Sequence, residues 1–249
     1  MSATYVVTGS TSGIGLECTR LLLQQGAQVV SLCRNEDKAR ALFGLELSAG
    51  QLIVYQHDFA HNEQLYARCL QLLKPYRVNG LIHCVGQSLV KRLLKTDYAH
   101  TLQLFEVNFC SFSELCRALL RLRAPEQELS LLAISSMAAL RPTPETPLYG
   151  CVKALLNQYI QGLAAEFAAV RPHLPEATPL ERAQRGHLVR VNAVAPGRVA
   201  TPMIAPTLMA VQAGQLEVTM LPPAAVAQLA LATLHNRYLT GQIIALDNN

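Results

Sequence analysis

The sequence contains no tryptophan, few aromatic residues and little charge. Aromatic residues make up 6% of the 249 positions and charged residues 15%, whereas hydrophobic residues make up 51%. This composition excludes a disordered chain, which needs low hydrophobicity and high net charge. It fits a globular protein that is long enough to bury a complete α/β core.

Long apolar runs, a targeting segment and concentrated charge are missing as well. No apolar stretch approaches the roughly 18 residues of a membrane span. Residues 1–9 enter an apolar strand without a basic leader or cleavage site. The formal net charge is +4, and the 21 Lys and Arg residues are scattered. We therefore expect neither a membrane nor a nucleic-acid partner.

Cysteine pairs with the spacing of metal or redox motifs are also absent. The seven cysteines are odd in number, include no Cys-x-x-Cys pair and lie mostly in apolar segments, as buried free thiols do. Because such thiols are at risk in an oxidising compartment, we expect a cytoplasmic protein. We expect no metal site.

What the sequence does contain is an alternation of short apolar runs and longer amphipathic stretches. The runs predict strands at 4–8, 28–33, 51–56, 80–85, 130–135, 190–195 and 242–247. The amphipathic stretches predict helices near 13–25, 36–47, 61–73, 97–122, 150–170 and 223–236. Nearly continuous apolar strands are typical of a parallel sheet that is covered on both faces. The pattern predicts one α/β domain, a Rossmann-like doubly wound parallel sheet of about seven strands flanked by helices.

Two stretches interrupt this alternation. Residues 171–187 are polar and rich in proline, and we expect them to form an inserted surface connection. Residues 201–222 are mostly small and apolar and contain three methionines. A loop of that length in a compact domain is more often a functional lid than idle chain, so we expect a substrate lid there.

A glycine-rich turn follows the first predicted strand and opens the first helix. Its glycines permit a tight turn and a close approach of the backbone to a ligand. The helix behind them points unpaired N–H groups and its positive dipole end at the same space, which suits a pyrophosphate. The predicted dinucleotide contacts on this turn are Gly9, Thr11, Ser12, Gly13, Ile14 and Gly15. A plain loop or helix cap is the structural alternative.

The second predicted strand ends without the acidic residue that usually binds the ribose 2′-hydroxyl of NAD. Arg34 stands there instead, and a guanidinium pairs well with a 2′-phosphate. We therefore expect NADP(H) as the cofactor, with NAD(H) as the alternative; the structural alternative for Arg34 is a solvated surface residue. Asp58, followed by Phe59, is the candidate contact to the adenine, and a helix N-cap is its alternative role.

Tyr149 and Lys153 are four residues apart at the start of a predicted helix, so their side chains share one face. An ammonium within a few ångströms favours phenolate, and we expect Lys153 to lower the pKa of Tyr149. The pair can then donate a proton to a forming alkoxide or accept one in the reverse direction.

Two further polar residues support this pair. Ser136 lies at the end of the fifth predicted strand, where parallel sheets bind ligands, and can donate a hydrogen bond to a substrate oxygen. Its neighbour Ser135 is expected to point away from the site. Asn108 lies in an apolar helical segment, where it either binds backbone groups or holds a water in a proton relay to Lys153.

The ordered set of residues 8–15, Asn108, Ser136, 149–153 and 192–197 resembles the classical type of the short-chain dehydrogenase/reductase family over about residues 4–247. The resemblance implies a catalytic tetrad of Asn108, Ser136, Tyr149 and Lys153, with Tyr149 and Lys153 also binding the cofactor. It implies further nicotinamide contacts at Pro196, Gly197, Val199 and Thr201. It also implies a homodimer or homotetramer that assembles through the helices at 97–122 and 150–170.

The sequence departs from the family pattern after the fourth strand. The usual Asn-Asn-Ala-Gly reads His83-Cys84-Val85-Gly86 here. The ring of His83 can replace one of the lost side-chain hydrogen bonds. Backbone contacts to the adenine ribose are still expected at Cys84, Val85 and Gly86.

These features together predict an NADP(H)-dependent oxidoreductase that interconverts a ketone or aldehyde and an alcohol. The alternatives are a catalytically weak NADP(H)-binding regulator and an enzyme that uses the same site for dehydration, epimerisation or enoyl reduction. The candidate pocket is mostly apolar and predicts a hydrophobic substrate of medium size. Its expected lining is Gln87, Ser88, Met137, Ala138, Leu140, Pro147, Met203, Leu208 and Met209.

Overall fold

Seven parallel strands form one sheet in the order β3-β2-β1-β4-β5-β6-β7. The computed structural model describes residues 2–144, 146–169, 188–205, 209 and 219–247. The strands are β1 (Thr4–Thr8), β2 (Gln28–Cys33), β3 (Leu52–Gln56), β4 (Val78–His83), β5 (Leu129–Ile134), β6 (Val189–Pro196) and β7 (Ile243–Leu246). The predicted strand set and the Rossmann-like parallel sheet are confirmed, with ends that differ by at most two residues.

Helices cover both faces of this sheet. They are α1 (Gly13–Gln24), α2 (Glu36–Leu42), α3 (Gly44–Ser48), α4 (Leu65–Leu73), α5 (Tyr98–Phe105), α6 (Ser111–Leu122), α7 (Pro147–Ala169) and α8 (Pro223–His235). The helix predicted at 36–47 is interrupted at Phe43, where the backbone leaves the helical region at φ −136° and ψ 36°. The phenyl ring of Phe43 is buried in the core there.

The helix predicted at 97–122 is continuous but not uniform. A π-helical turn, Glu106–Cys110, joins α5 to α6. The extra residue of a π turn changes which side chains face the sheet, and such turns often mark functional positions. Asn108 lies at the centre of this turn and is fully buried.

The core is divided by the sheet into two apolar layers. Along β1, Val6 packs with the helices α4, α6 and α7, whereas its neighbour Val7 packs with α1 and α8. Successive side chains of a strand point to opposite faces, so both must be apolar when both faces are covered. This is why the strands read as continuous apolar runs.

The strand register brings the candidate site together at one edge. β1 pairs with β2 on one side and with β4 on the other, so the chain reverses its direction of winding between them. Ligands bind in the crevice that such a reversal opens at the carboxyl ends of the strands. Thr8 pairs with His83 and His83 with Ala133, which places the three following segments side by side.

Candidate active site

The glycine-rich turn lies at the reversal point with its backbone exposed to the crevice. Gly9 and Gly13 have φ of 68° and 52°, which side chains rarely adopt. A Cβ on Gly15 would overlap the carbonyl oxygen of Gly9. Ser12 precedes α1 and makes no side-chain cap hydrogen bond, so the side chains leave the first N–H groups of the helix to another acceptor. This geometry has the form of an anion site.

Residues 84 and 85 form the neighbouring wall of the crevice. The backbone N–H groups of Cys84 and Val85 donate to Thr8 Oγ1 at 3.1 and 3.3 Å. A backbone contact from these two residues to a ribose hydroxyl therefore has to use their carbonyl oxygens as acceptors. The hydrogen-bonded thiol of Cys18 and, after it, burial raise the pKa of Cys84, so its thiol is neutral.

The residues predicted to meet the adenosine end of the cofactor lie beyond β2 and β3. Arg34 is exposed, and within the described residues its guanidinium has no acidic partner. Asp58 Oδ1 accepts from the N–H of Ala60 at 3.1 Å. Its alternative role as a helix N-cap is wrong, because α4 begins only at Leu65. The Phe59 ring is buried in the core, which leaves its backbone for any cofactor contact.

Ser136 and Tyr149 are brought together by a close approach of α7 to the end of β5. Ser136 Oγ accepts from the N–H of Ala138 at 3.2 Å, and the Ser136 side chain lies close enough to the Tyr149 phenol to act on its pKa, which it lowers against the effect of burial. A Cβ on Gly150 would lie 2.7 Å from the carbonyl oxygen of Ala138, so only glycine permits this approach. As expected, Ser135 points elsewhere and donates to Asn157 Oδ1 at 2.6 Å.

The electrostatics of the Tyr149–Lys153 pair differ from the expectation. The pKa of Tyr149 is raised, because burial outweighs its hydrogen bond with Ser136. Lys153 Nζ lies 5.9 Å from the Tyr149 ring centroid and donates to the carbonyl oxygen of Ile134 at 2.9 Å. The prediction that Lys153 lowers the pKa of Tyr149 is therefore wrong for this arrangement. Burial lowers the pKa of Lys153 itself to about 8.

Asn108 uses its amide to bind backbone groups, one of the two roles considered for it. Its Nδ2 donates to the carbonyl oxygens of Gln87 and Leu104, each at 3.0 Å, and its Oδ1 accepts from the N–H of Gln87 at 3.2 Å. A Cβ on Gly86 would lie 2.9 Å from Asn108 Oδ1 and 3.4 Å from Lys153 Nζ. Both atoms thus lie on the same side of Gly86, around the place that a side chain would occupy.

The segment predicted to meet the nicotinamide begins where β6 ends. The N–H of Gly197 donates to the carbonyl oxygen of Leu246 at 2.8 Å. Val199 is buried and forms an isolated parallel bridge with Leu221. A Cβ on Gly13 would lie 2.9 Å from Thr201 Cγ2, which places Thr201 against the glycine-rich turn.

The predicted lid and pocket are described in part. Met203 Cε would lie 3.9 Å from a Cβ on Gly86, so the end of the Met203 side chain lies beside Gly86, although 47% of the residue is exposed. Leu140, Pro147 and Met209 are exposed, whereas Gln87, Ser88, Met137 and Ala138 are partly buried. Leu208, most of the lid (206–208 and 210–218) and the insertion at 171–187 lie outside the described residues.

Sequence reasoning missed three features of the site. Gly150 permits the approach of α7, and Asn157 holds Ser135 away from Tyr149. The third is Ser111, whose Oγ lies 3.1 Å from His83 Nε2. A polar residue three positions after Asn108 in an apolar helix was the available signal, because such residues share a face.

Neither a metal cluster nor a membrane span is found where the structure can be described. No group of three His, Cys, Asp or Glu side chains there is placed to hold a metal ion. Among the described helices, none is both long and apolar enough to cross a bilayer.

Comparisons with known proteins agree on one family. A family model described as short chain dehydrogenase matches residues 3–210. The 3-oxoacyl-[acyl-carrier-protein] reductase of Bos taurus is 25% identical over 252 residues, which cover 99% of this chain and 97% of that protein.

Two solved structures share the fold at lower identity. The structure of ElxO with NADP bound has a TM-score of 0.81 and 21% identity, and the match covers 99% of this chain and 98% of that one. The structure of 4-hydroxyisoleucine dehydrogenase complexed with NADH has a TM-score of 0.82 and 20% identity, with 100% and 98% covered. Nicotinamide cofactors of both kinds therefore occur among proteins with this fold.

Proposed function

The chain belongs to the short-chain dehydrogenase family, and on that basis we propose that it is an NADP(H)-dependent oxidoreductase. It interconverts a ketone or aldehyde and the corresponding alcohol, with Tyr149 as general acid and base. The observation that carries the proposal is the close approach of α7 to the end of β5, which brings Tyr149 beside Ser136, one helical turn from the buried Lys153.

The residues of the crevice fit a nicotinamide dinucleotide. The space above Gly15 admits no side chain, and no side chain caps the start of α1, so this turn suits the pyrophosphate. Lys153 would hold the nicotinamide ribose, and residues 196–201 would hold the nicotinamide. When bound, the cofactor supplies the hydride for reduction or accepts it in oxidation.

The protein's own residues manage the proton and the substrate oxygen. In reduction, Tyr149 donates its phenolic proton to the oxygen, and its raised pKa keeps that proton in place at neutral pH. Ser136 donates a hydrogen bond to the same oxygen as negative charge develops on it. Lys153 Nζ, 5.9 Å from the Tyr149 ring centroid, donates to the Ile134 carbonyl oxygen, so its proposed role is toward the cofactor and the water relay and not as a partner of the phenolate.

Asn108 contributes from its place beside Gly86. Its Oδ1 lies on the Lys153 side of that glycine, which supports the predicted water between Asn108 and Lys153. Such a water would return a proton to the site after each turnover. In oxidation the same groups act in reverse.

NADP(H) is favoured over NAD(H) by the charges at the end of β2. Arg34 is exposed and has no acidic partner within the described residues. Glu36, the nearest carboxylate in the sequence, pairs with Arg40 instead. An unpaired guanidinium at this position suits the 2′-phosphate of NADP(H).

The substrate is a hydrophobic carbonyl compound of medium size. The described candidate pocket residues Met137, Ala138, Leu140 and Met203 are apolar, and Met203 lies beside Gly86 at the tetrad. The bovine relative is a 3-oxoacyl reductase by name, so 3-oxoacyl thioesters belong in any substrate panel beside cyclic ketones. No described observation at His83–Gly86 favours the alternative of a regulator without turnover.

A homodimer or homotetramer in the cytoplasm completes the proposal. Apolar side chains are exposed on α5 and α7, among them Leu102 and Leu155, and symmetric assembly would cover them. All seven cysteines are described, and all are free thiols, which supports a reducing compartment.

The experiment that tests the function is a carbonyl panel read at the absorbance of the reduced nicotinamide. We expect the purified protein to oxidise NADPH with at least one hydrophobic ketone or 3-oxoacyl thioester. Tyr149→Phe should lower kcat by about 10²- to 10⁴-fold while leaving NADPH binding intact. Tyr98→Phe is the matched control, because Tyr98 is exposed. Wild-type turnover in Tyr149→Phe would remove Tyr149 from its role.

A further inference from the structure

Residues 83–87, which we name the exit segment of β4, form a shared wall of the cofactor crevice and the tetrad. On one side, a Cβ on Gly9 would lie 3.4 Å from Val85 Cγ2. On the other, a Cβ on Gly86 would lie 3.4 Å from Lys153 Nζ. A shift of this segment would therefore change both the glycine-rich turn and the surroundings of Lys153.

The exit segment is fixed at both ends by the same stretch of helix. Asn108, in the π turn, exchanges two hydrogen bonds with the backbone of Gln87 at the far end. Ser111, the first residue of α6, meets the side chain of His83 at the near end. Asn108 and Ser111 are three positions apart, so one face of the helix holds the whole segment.

The hydrogen bonds of Thr8 determine whether His83 Nδ1 carries a proton. Thr8 Oγ1 lies 3.0 Å from His83 Nδ1. The same oxygen accepts from the N–H groups of Cys84 and Val85. A hydroxyl has one proton and two lone pairs, so the Thr8 proton goes to Nδ1, which must be unprotonated.

The hydrogen bonds of Ser111 independently determine whether His83 Nε2 carries a proton. Ser111 Oγ donates to the carbonyl oxygen of Val107 at 2.7 Å, which uses its only proton. Ser111 can then meet His83 Nε2 at 3.1 Å only by accepting, so Nε2 carries a proton. Both sides give the same result, the neutral ring with its proton on Nε2.

We propose that His83 is a positioning residue which, as the neutral Nε2–H tautomer, ties the exit segment to the π turn that carries Asn108. The chain of bonds runs from the amides of Cys84 and Val85 through Thr8, His83 and Ser111 to the helix backbone. It holds the wall between the cofactor turn and Lys153 in one place. The inference rests on the proposed function for its catalytic consequence, but the tautomer and cofactor binding can be measured without turnover.

The chemistry of the ring explains why an amide does not replace it. Nδ1 is two bonds from Cβ and Nε2 is three, so the ring reaches Thr8 and Ser111 together. The side chain of asparagine ends two bonds from Cβ, and that of glutamine three. His83→Asn should therefore keep an acceptor for Thr8 but lose the hydrogen bond to Ser111. His83→Gln should keep a donor for Ser111 but lose the hydrogen bond to Thr8.

The first test is the imidazole spectrum of the full-length protein labelled with ¹⁵N. We expect the His83 resonances, identified by their loss in His83→Gln, to show an unprotonated Nδ1 and a protonated Nε2 at pH 7. A protonated Nδ1 or a doubly protonated ring would overturn the inference, whatever the enzyme does.

The second test separates positioning from folding. Ser111→Ala and His83→Asn should each raise the Kd for NADPH several-fold and lower kcat about tenfold, as expected for one misplaced wall. The double variant should show about the same loss as either single variant, because all of them break the same bond. Ser113 lies on the same helix as Ser111, and its hydroxyl donates to Tyr159 of α7. Ser113→Ala is the control and should leave the Kd and kcat unchanged.

The outcomes distinguish this inference from the proposed function. If wild-type protein turns over a carbonyl but Ser111→Ala and His83→Asn keep wild-type Kd and kcat, His83 is not a positioning residue and the function stands. If no carbonyl is turned over, the function fails, while the tautomer and the NADPH Kd still decide the inference. Should His83→Asn not fold, Ser111→Ala and the spectrum carry the test.

Discussion

Lys153 is a buried ammonium, and among the described residues its one acceptor is the carbonyl oxygen of Ile134. Burial penalises its charged form and lowers its pKa to about 8. The residue therefore carries its charge below that pH and loses it above.

This titration predicts the pH dependence of the reaction. For carbonyl reduction, kcat/KM for NADPH should fall as pH rises through about 8, because this parameter reports groups of the free enzyme. In Lys153→Arg the side chain stays charged throughout, so any residual activity should not fall as pH rises through about 8. The measurement is a pH–rate profile from 6 to about 10. A wild-type profile that is flat through this range contradicts the assignment.

Arg34 is the residue on which cofactor choice should depend. Arg34→Asp should reverse the preference toward NADH, because a 2′-phosphate would then face a like charge. The measurement is the ratio of kcat/KM for NADPH and NADH, which we expect to change by about 100-fold or more. Arg20→Asp, on the exposed face of α1, is the control and should leave the ratio unchanged. An unchanged ratio in Arg34→Asp would mean that Arg34 only faces solvent.

At the residue scale, the identity of the candidate site residues could be predicted but their hydrogen bonds could not. Spacing alone indicated that Tyr149 and Lys153 share a helix face. The direction of the Tyr149 pKa depends on how deeply the phenol is buried and on Lys153 turning to Ile134. Burial depth is a tertiary property that no local pattern contains.

The contact of α7 with the end of β5 is the element-scale feature on which the tetrad depends. In Gly150→Ala the new Cβ would lie 2.7 Å from the Ala138 carbonyl oxygen, so the helix must move. We expect a loss of about 1–3 kcal/mol in the free energy of unfolding and a lower kcat, because Tyr149 moves away from Ser136. Denaturant unfolding and steady-state kinetics measure the two effects.

Gly162 supplies the matched control on the same helix. Beyond the helix's own backbone, no atom of the described residues lies within 4 Å of a Cβ placed there, so Gly162→Ala should stabilise the protein by about 0.5–1 kcal/mol through helix propensity alone. Its kcat should stay at the wild-type value. If Gly150→Ala and Gly162→Ala changed the free energy of unfolding equally, α7 would not be in close contact with Ala138 at Gly150.

Elements were predicted well where one physical cause dominates. The strands follow from continuous apolar burial, and their ends moved by at most two residues. The break at Phe43 and the π turn at Glu106–Cys110 were not predicted. Both are set by side chains that meet distant groups, Phe43 in the core and Asn108 on Gln87, and helical periodicity does not report such contacts.

At the scale of the whole molecule, the exposed apolar side chains of α5 and α7 predict self-association. Leu155, on α7, is 39% exposed, and Leu155→Glu would bury a charge in an interface formed there. We expect wild-type protein to sediment as a dimer or tetramer and Leu155→Glu as a monomer. Leu45→Glu, at a position on α3 that is 84% exposed, is the control and should remain assembled. A monomeric wild type would contradict the prediction.

The strand order also has a consequence for how the chain is made on the ribosome. β1 lies between β2 and β4 in the sheet, so it can pair with β2 as soon as that strand emerges, but its other edge has to wait for β4. The side-chain bond between Thr8 and His83 joins residues 75 positions apart. At a synthesis rate of about 5–20 residues per second, the nascent chain displays for seconds an unpaired backbone edge on a strand whose central residues, Val6 and Val7, are apolar. During that interval a neighbouring nascent chain competes for β1, so productive synthesis should depend on a chaperone or on slow initiation.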